Sequence, residues 1–222
     1  MNILYLNLLT IVGISSCIKH ENCPRYVQIP AFITPAQSAY HLGDTISIIS
    51  KFYKDVKAFN SEYTELIERI DAGNFVWDPS TSIERIDTIG LANITTIDKY
   101  FSLVEDSNYN YHMFVESDQF SAMDGQYNYK NDTFDLRIRL IPKKIGTYFI
   151  LQKSGVGFFG NQKFPQKCPG LNVEAWVQMN HAENNNIELL SESPDSFFNT
   201  LILGNPKGNF YDVGGYCFKV IP

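Results

Sequence analysis

The 222-residue sequence predicts a mainly-β chain folded as an antiparallel β-sandwich with one or two short helices. Three observations carry this expectation. Aromatic residues make up 14% of the chain, mostly Tyr and Phe, which suit a pleated, half-buried surface. About eight short runs show strand patterning, with Gly, Pro, Asn or Asp between them. In the clearest run Phe134, Leu136, Ile138 and Leu140 alternate with Asp135, Arg137 and Arg139, as in a strand with one dry and one wet face.

Taken along the chain, Pro24, Pro30 and Pro35 come first, and missing ladder donors there predict an edge strand or irregular coil. Tyr40-His41-Leu42-Gly43-Asp44 is a turn into Thr45–Tyr53, where Ile46, Ile48 and Phe52 share a face with Ser50 among them. A Gly-Asp turn before such a strand recurs in immunoglobulin-like sandwiches, so the expected fold is an elaborated sandwich of that kind. Asn74–Trp77, Ser82–Thr88, Tyr111–Glu116 and Val173–Met179 are further strand candidates. Thr133–Gln152 reads as a β-hairpin with Pro142-Lys143-Lys144-Ile145-Gly146 as its turn, the returning strand Thr147–Gln152 more uniformly apolar and so more central. Gly214–Ile221 closes the series. Helical spacing occurs at Ile97, Phe101 and Val104 within Thr96–Glu105, with Thr95 or Thr96 as cap. It recurs in Asn186–Leu203, which Pro194 divides, with Ser193 as cap of a second part. No Gly/Ser/Pro linker divides residues 26–222, so one domain is expected.

Charge and composition exclude some function classes. Charged residues make up 19% and hydrophobic residues 44%, an ordinary globular balance rather than that of a disordered chain. The formal net charge of −6 argues against nucleic acid as a partner, which needs clustered basic residues.

The N-terminus is the most informative segment. Asn2–Ile14 is apolar, uncharged and far shorter than the roughly 20 residues of a spanning helix, so it reads as a signal-peptide core. Ile14-Ser15-Ser16-Cys17 resembles the bacterial lipobox. That resemblance implies a signal peptide over residues 1–16, removed before a lipidated Cys17, and a short tether over residues 17–25. Acyl chains on that cysteine and its new amine would hold the protein at a membrane without a spanning helix, because each buried methylene contributes about 0.8 kcal/mol. The segment departs from the pattern in carrying no Lys or Arg before Lys19. An exported chain meets an oxidising compartment, where disulfides persist. Apart from Cys17 the cysteines are Cys23, Cys168 and Cys217; a Cys168–Cys217 bridge is expected, with Cys23–Cys217 as the alternative.

Several segments together resemble a group of small lipoproteins from Bacteroidota: the lipobox and tether, Tyr40–Ile48, Pro142–Leu151, Lys167–Gly170, Asn184–Leu190 and Gly214–Val220. The resemblance implies a cell-envelope location and no known catalytic residues.

The search for chemistry turns up little. His20, His41, His112 and His181 stand in loop or surface contexts, and no Gly-x-Ser-x-Gly elbow occurs. No cofactor or metal motif is present: there is no His-Glu-x-x-His, and the carboxylates of Asp118–Gly125 miss the spacing of a calcium loop. Gly155–Gly160 lacks the residues of a phosphate-binding loop. Tyr109-Asn110-Tyr111 and Tyr127-Asn128-Tyr129 offer flat apolar faces with polar tips, which suit a sugar or peptide surface; the commoner arrangement is strand tyrosines packed on one sheet face. Trp77 and Trp176 read as core rather than platform. Asp87-Thr88-Ile89 matches a short O-glycosylation pattern of that bacterial group, with Thr88 as the acceptor. The expected function is therefore a lipid-anchored envelope protein whose sandwich binds a glycan or protein. A glycan-acting hydrolase is the alternative, its paired carboxylates being a matter of spatial separation.

Overall fold

The computed structural model describes residues 25–60, 66–90, 95–117, 120–156 and 174–222. The expected signal peptide, Cys17, Cys23 and Cys168 lie outside them. The strands are β1 (Tyr26–Thr34), β2 (Ala39–His41), β3 (Ile46–Tyr53), β4 (Asp55–Phe59), β5 (Leu66–Asp71), β6 (Trp77–Arg85), β7 (Thr95–Thr96), β8 (Phe101–Leu103), β9 (Tyr111–Ser117), β10 (Phe120–Gly125), β11 (Asn128–Lys130), β12 (Thr133–Pro142), β13 (Gly146–Val156), β14 (Glu174–Met179) and β15 (Gly215–Ile221). One sheet runs β11-β12-β3-β1-β4-β5, with β14 on β1 and β8 on β12; the other runs β2-β15-β13-β6-β10-β7, with β9 on β10. The expected β-sandwich is the fold. No helix among the described residues is long and apolar enough to cross a membrane.

The main core lies between the sheets. Ile46 and Ile48 of β3, Phe134, Leu136, Ile138 and Leu140 of β12, and Tyr148, Ile150, Tyr216 and Phe218 of the second sheet are all buried there. The alternation of β12 is thus read correctly: its four apolar residues face in, while Arg137 is exposed and Asp135 and Arg139 are half-exposed. The other register would bury all three charges.

The expected hairpin is not formed. β12 pairs with β3, β11 and β8, whereas β13 pairs with β15 and β6, so the chain crosses between sheets at Lys143–Ile145. The backbone of the connection bonds outward instead of across: Lys143 N–H donates to Tyr100 O (2.7 Å) and Gly43 N–H to Pro142 O (3.2 Å). Both strands had better-matched partners elsewhere, and turn composition reads the same for an arch as for a hairpin.

The proline-rich start is likewise not an edge. β1 has β14 on one side over Tyr26–Ala31 and pairs β4 at Tyr26–Gln28 and β3 at Phe32–Thr34. Pro30 sits in the gap between the β4 and β3 ladders. Its carbonyl turns toward β3, accepting from Ser50 Oγ (2.6 Å), and its ring nitrogen faces the same gap, so no ladder bond is lost.

A second, smaller core covers the outer face of β13 and β15. Phe149, Leu151 and Cys217 point away from the sandwich and meet Leu189, Leu190, Phe198, Ile202 and Phe210. These last come from helical turns at Ile187–Glu192, Phe198–Ile202 and Lys207–Tyr211. Pro194 divides the segment as expected. Ser193 Oγ accepts from Asp195 N–H (3.2 Å), and Asp195 Oδ1 accepts in turn from Phe197 N–H (3.0 Å), so the cap is shared. The earlier expected helix shrinks to one turn, Ile97–Tyr100, because Phe101–Leu103 finds the free edge of β12 and becomes β8. Its first turn is capped by Ser121 of β10, whose Oγ accepts from Asp98 N–H, and not by Thr96.

Candidate functional site

A cleft of about 940 Å3 opens where the second sheet ends against β14. Four strands deliver it in register. Gly155 of β13 lies opposite Asp78 of β6, Lys153 opposite Ser80, and Asp124 of β10 opposite both Ser80 and His112. β14 supplies Glu174 and Trp176, and the last turn supplies Asp212. Two glycines permit this approach. At Gly125 a Cβ would stand 2.0 Å from Asn110 O; Gly214 has φ +67° and would place a Cβ 2.2 Å from Gln152 O.

The lining is acidic. Asp78, Asp124, Glu174 and Asp212 face it against Lys153, with His112 beside them. His112 Nε2 lies 2.8 Å from Asn110 Oδ1. Arg25 reaches Glu174 at the rim (3.5 Å). Asp212 is well enclosed, its side chain 10% exposed and 3.2 Å from Lys207 Nζ. Burial pushes its carboxyl above the usual range, and the lysine pulls it back only in part.

Trp176 corrects the expectation of a core residue, whereas Trp77 meets it at 3% exposure. Trp176 is half-buried and lines the cleft, with Tyr26 on its ring at 4.1 Å and Lys207 Nζ 4.8 Å from the ring centroid. Arg25 in turn lies 5.9 Å from the Tyr26 ring. Each of the two rings thus has a cation near it. A tryptophan in an alternating strand gives no sign of whether its face is central or marginal.

Of the four tyrosines expected on a ligand surface, Tyr111 and Tyr127 are core residues, 5% and 9% exposed. Their hydroxyls are used internally. Tyr111 Oη is 2.7 Å from Thr81 Oγ1 and 3.1 Å from Met123 O, and Tyr127 Oη is 3.0 Å from Ser50 Oγ. Burial raises both phenols, that of Tyr127 to about 12. Tyr109 is half-buried and Tyr129 is 44% exposed. Tyr129 shares the inner face, its ring 4.5 Å from that of Phe134, but β11 is the margin of its sheet. The four do not form one surface.

Two other expected positions have local constraints. Cys217 is a free thiol, wholly buried in the smaller core, and its expected partner Cys168 lies outside the described residues. Alternation in β15 turns Cys217 outward from the sandwich and beneath the helical cover, out of reach of a surface partner. Burial raises this thiol well above its usual value. Thr88 is half-exposed, but its Oγ1 is shielded and without a partner, which withholds the atom a sugar transfer needs. Among the described residues no three His, Cys, Asp or Glu side chains are grouped as a metal site requires.

No family model matches the chain, and no curated protein matches it. Among solved structures it is similar to the human F-spondin reeler domain, with TM-score 0.33, 9% identity and coverage of 71% of this chain and 98% of that one. It is also similar to AvmM, which catalyses macrocyclization in alchivemycin A biosynthesis, with TM-score 0.31, 9% identity and coverage of 66% and 84%. A cohesin module from a Clostridium perfringens ATCC13124 family 33 glycoside hydrolase follows at TM-score 0.28, 11% identity and coverage of 66% and 97%. Likenesses at this level bear on neither family nor activity.

Proposed function

We propose that the chain is a lipid-anchored protein of the bacterial cell envelope whose β-sandwich is a binding module, with the Trp176 cleft as its ligand site. The observation that carries the binding reading is the cleft itself. It is wide, sits at strand ends, and joins an aromatic face to several carboxylates, a combination typical of ligand sites. The anchor rests on Ile14-Ser15-Ser16-Cys17 alone. Two measurements test the two halves. Cells expressing the parent and Cys17→Ala are fractionated and the protein's mass is taken: a lipid increment and membrane retention in the parent, both lost in the variant, are expected. Unchanged retention with no lipid mass refutes the anchor. The full chain is then screened against glycans and peptides, with Trp176→Ala as control; a ligand lost in that variant is expected, and no ligand of any class refutes the module.

A glycan-acting hydrolase is the second reading. What favours it is Asp212, a carboxyl raised by burial in a cleft with Asp78, Asp124 and Glu174. Release of reducing ends that stops in Asp212→Asn would carry it over the binding module.

A further inference from the structure

Two residues of the cleft lining, Trp176 and Asp212, form a small cage that holds one of the protein's own side chains. Lys207 leaves the last helical turn, lays its ammonium 4.8 Å from the centroid of Trp176 and ends 3.2 Å from Asp212 Oδ2. An aromatic face beside an enclosed carboxylate is the chemistry that recognises an alkylammonium. We infer that this corner of the cleft is the subsite for a lysine side chain of a peptide ligand, and that Lys207 is its internal competitor. The inference rests on the reading of the cleft as the ligand site and names the ligand's class.

Three features favour a cation over a neutral ring on Trp176. First, the cage walls keep their places without Lys207. The Tyr26 ring lies 4.1 Å from the indole, tilted by 36°, and Asp212 is held by its own backbone, its N–H donating to Lys207 O (2.9 Å) and its carbonyl accepting from Val177 N–H (3.2 Å). Second, a neutral ring that displaced Lys207 would strand the Asp212 carboxylate, nine-tenths covered, without its cation. An incoming ammonium replaces the charge it removes. Third, the rest of the lining carries Asp78 and Asp124 against one lysine, Lys153, with Glu174 paired to Arg25 at the rim, a balance that suits a basic peptide lying along the cleft.

Lys207 is suited to leave. Its side chain is 57% exposed, so its pairing is largely solvated and weak. It stands on a short turn beside Gly208, not within a strand. A site occupied most of the time by an internal ligand binds an external one more weakly by the fraction left open. The shape of the site is also set by a peptide lysine, since that is what occupies it.

The test is calorimetric titration of the full chain with tri-lysine blocked at both ends, beside the same peptide acetylated on all three side chains. The parent should bind the charged peptide, Lys207→Ala should bind it about two- to sixfold more tightly, and neither should bind the acetylated form. Asp212→Asn should lose the charged peptide. The acetylated peptide needs no change in the protein, so a misfolded variant cannot account for its failure to bind. Equal binding of the two peptides, or no tightening in Lys207→Ala, overturns the inference. A neutral ligand that is lost in Trp176→Ala but insensitive to Lys207→Ala overturns it while leaving the binding module standing.

Discussion

β12 and β13 follow each other in the chain, and their outer faces meet opposite fates. Outside β12 lie Asp135, Arg137 and Arg139, in water, with Arg139 paired to Asp106 at 3.2 Å. Outside β13 lie Phe149 and Leu151 beneath the helical turns of residues 187–211. The rings of Phe149 and Phe210 stack at 5.5 Å and 7°. The difference teaches that a wet face and a covered face are distinguished by side-chain chemistry on the strand, while the identity of the cover is set by a segment more than thirty residues downstream in the chain. A face carrying Phe149 and Leu151 requires some cover, since leaving them in water forfeits roughly 1.5–3 kcal/mol each.

The sharpest way to break this comparison is Phe210→Ala. Phe210 is wholly buried, and its loss should cost about 3–5 kcal/mol in denaturant unfolding. Leu136→Ala in the main core should cost about 2–5 kcal/mol, so the cover is expected to be as integral as the sandwich interior. Cys217 provides a second readout. Its thiol should resist alkylation in the parent and react faster in Phe210→Ala, because reaction requires the cover to open. A Phe210→Ala cost below about 1 kcal/mol would mean that the turns are only loosely applied.

Glu84 is the next test. It lies opposite Phe149 across β6 and β13, its Oε2 is buried without a partner, and burial raises its carboxyl above 4.5 against a smaller opposing pull from Lys153. A raised folded value means that ionisation opposes folding, so Glu84 costs stability once pH exceeds that value and costs none from ionisation below 4.5, where both states are protonated. Glu84→Gln should therefore raise Tm at pH 7, with the gain shrinking as pH falls toward 4.5. A gain independent of pH would place the cause in packing and not in charge.

On the wet face the effects should be small. Arg139→Ala should cost about 0.2–1 kcal/mol, falling with added salt, because its pair with Asp106 is part-exposed. Arg137→Ala should stay within about 0.5 kcal/mol, since Arg137 is exposed. A larger loss at Arg137 than at Arg139 would show that the outer face of β12 is covered by something in solution.

How much of this was legible varies with the range of the interaction. The inward set of β12, the strand Ile46–Tyr53, the closing strand and the break at Pro194 all follow from alternation and from the missing N–H of proline, which act within a few residues. The hairpin expectation failed because Pro142–Gly146 constrains a turn but not the partner of the strand after it. Pro30 looked like an edge because a missing donor matters only where a ladder bond is due, and the offset between the β3 and β4 registers left none due there.

The candidate site was the least legible part. Trp176, Asp212, Asp78 and Asp124 lie far apart in the chain and come together only because β6, β10, β13 and β14 end at one place. Tyr111 and Tyr127 stood out for their polar tips, which the core absorbed through Thr81 and Ser50. By itself the sequence determined the strand Ile46–Tyr53, the inward face of β12, the closing strand and the resemblance of Ile14–Cys17 to a lipidation signal, because these rest on local period, sterics and short motifs. The sheet each strand joined, the cover over Phe149 and the meeting of Lys207, Trp176 and Asp212 were decided by tertiary structure alone, because strand partners are chosen by competition among all available edges.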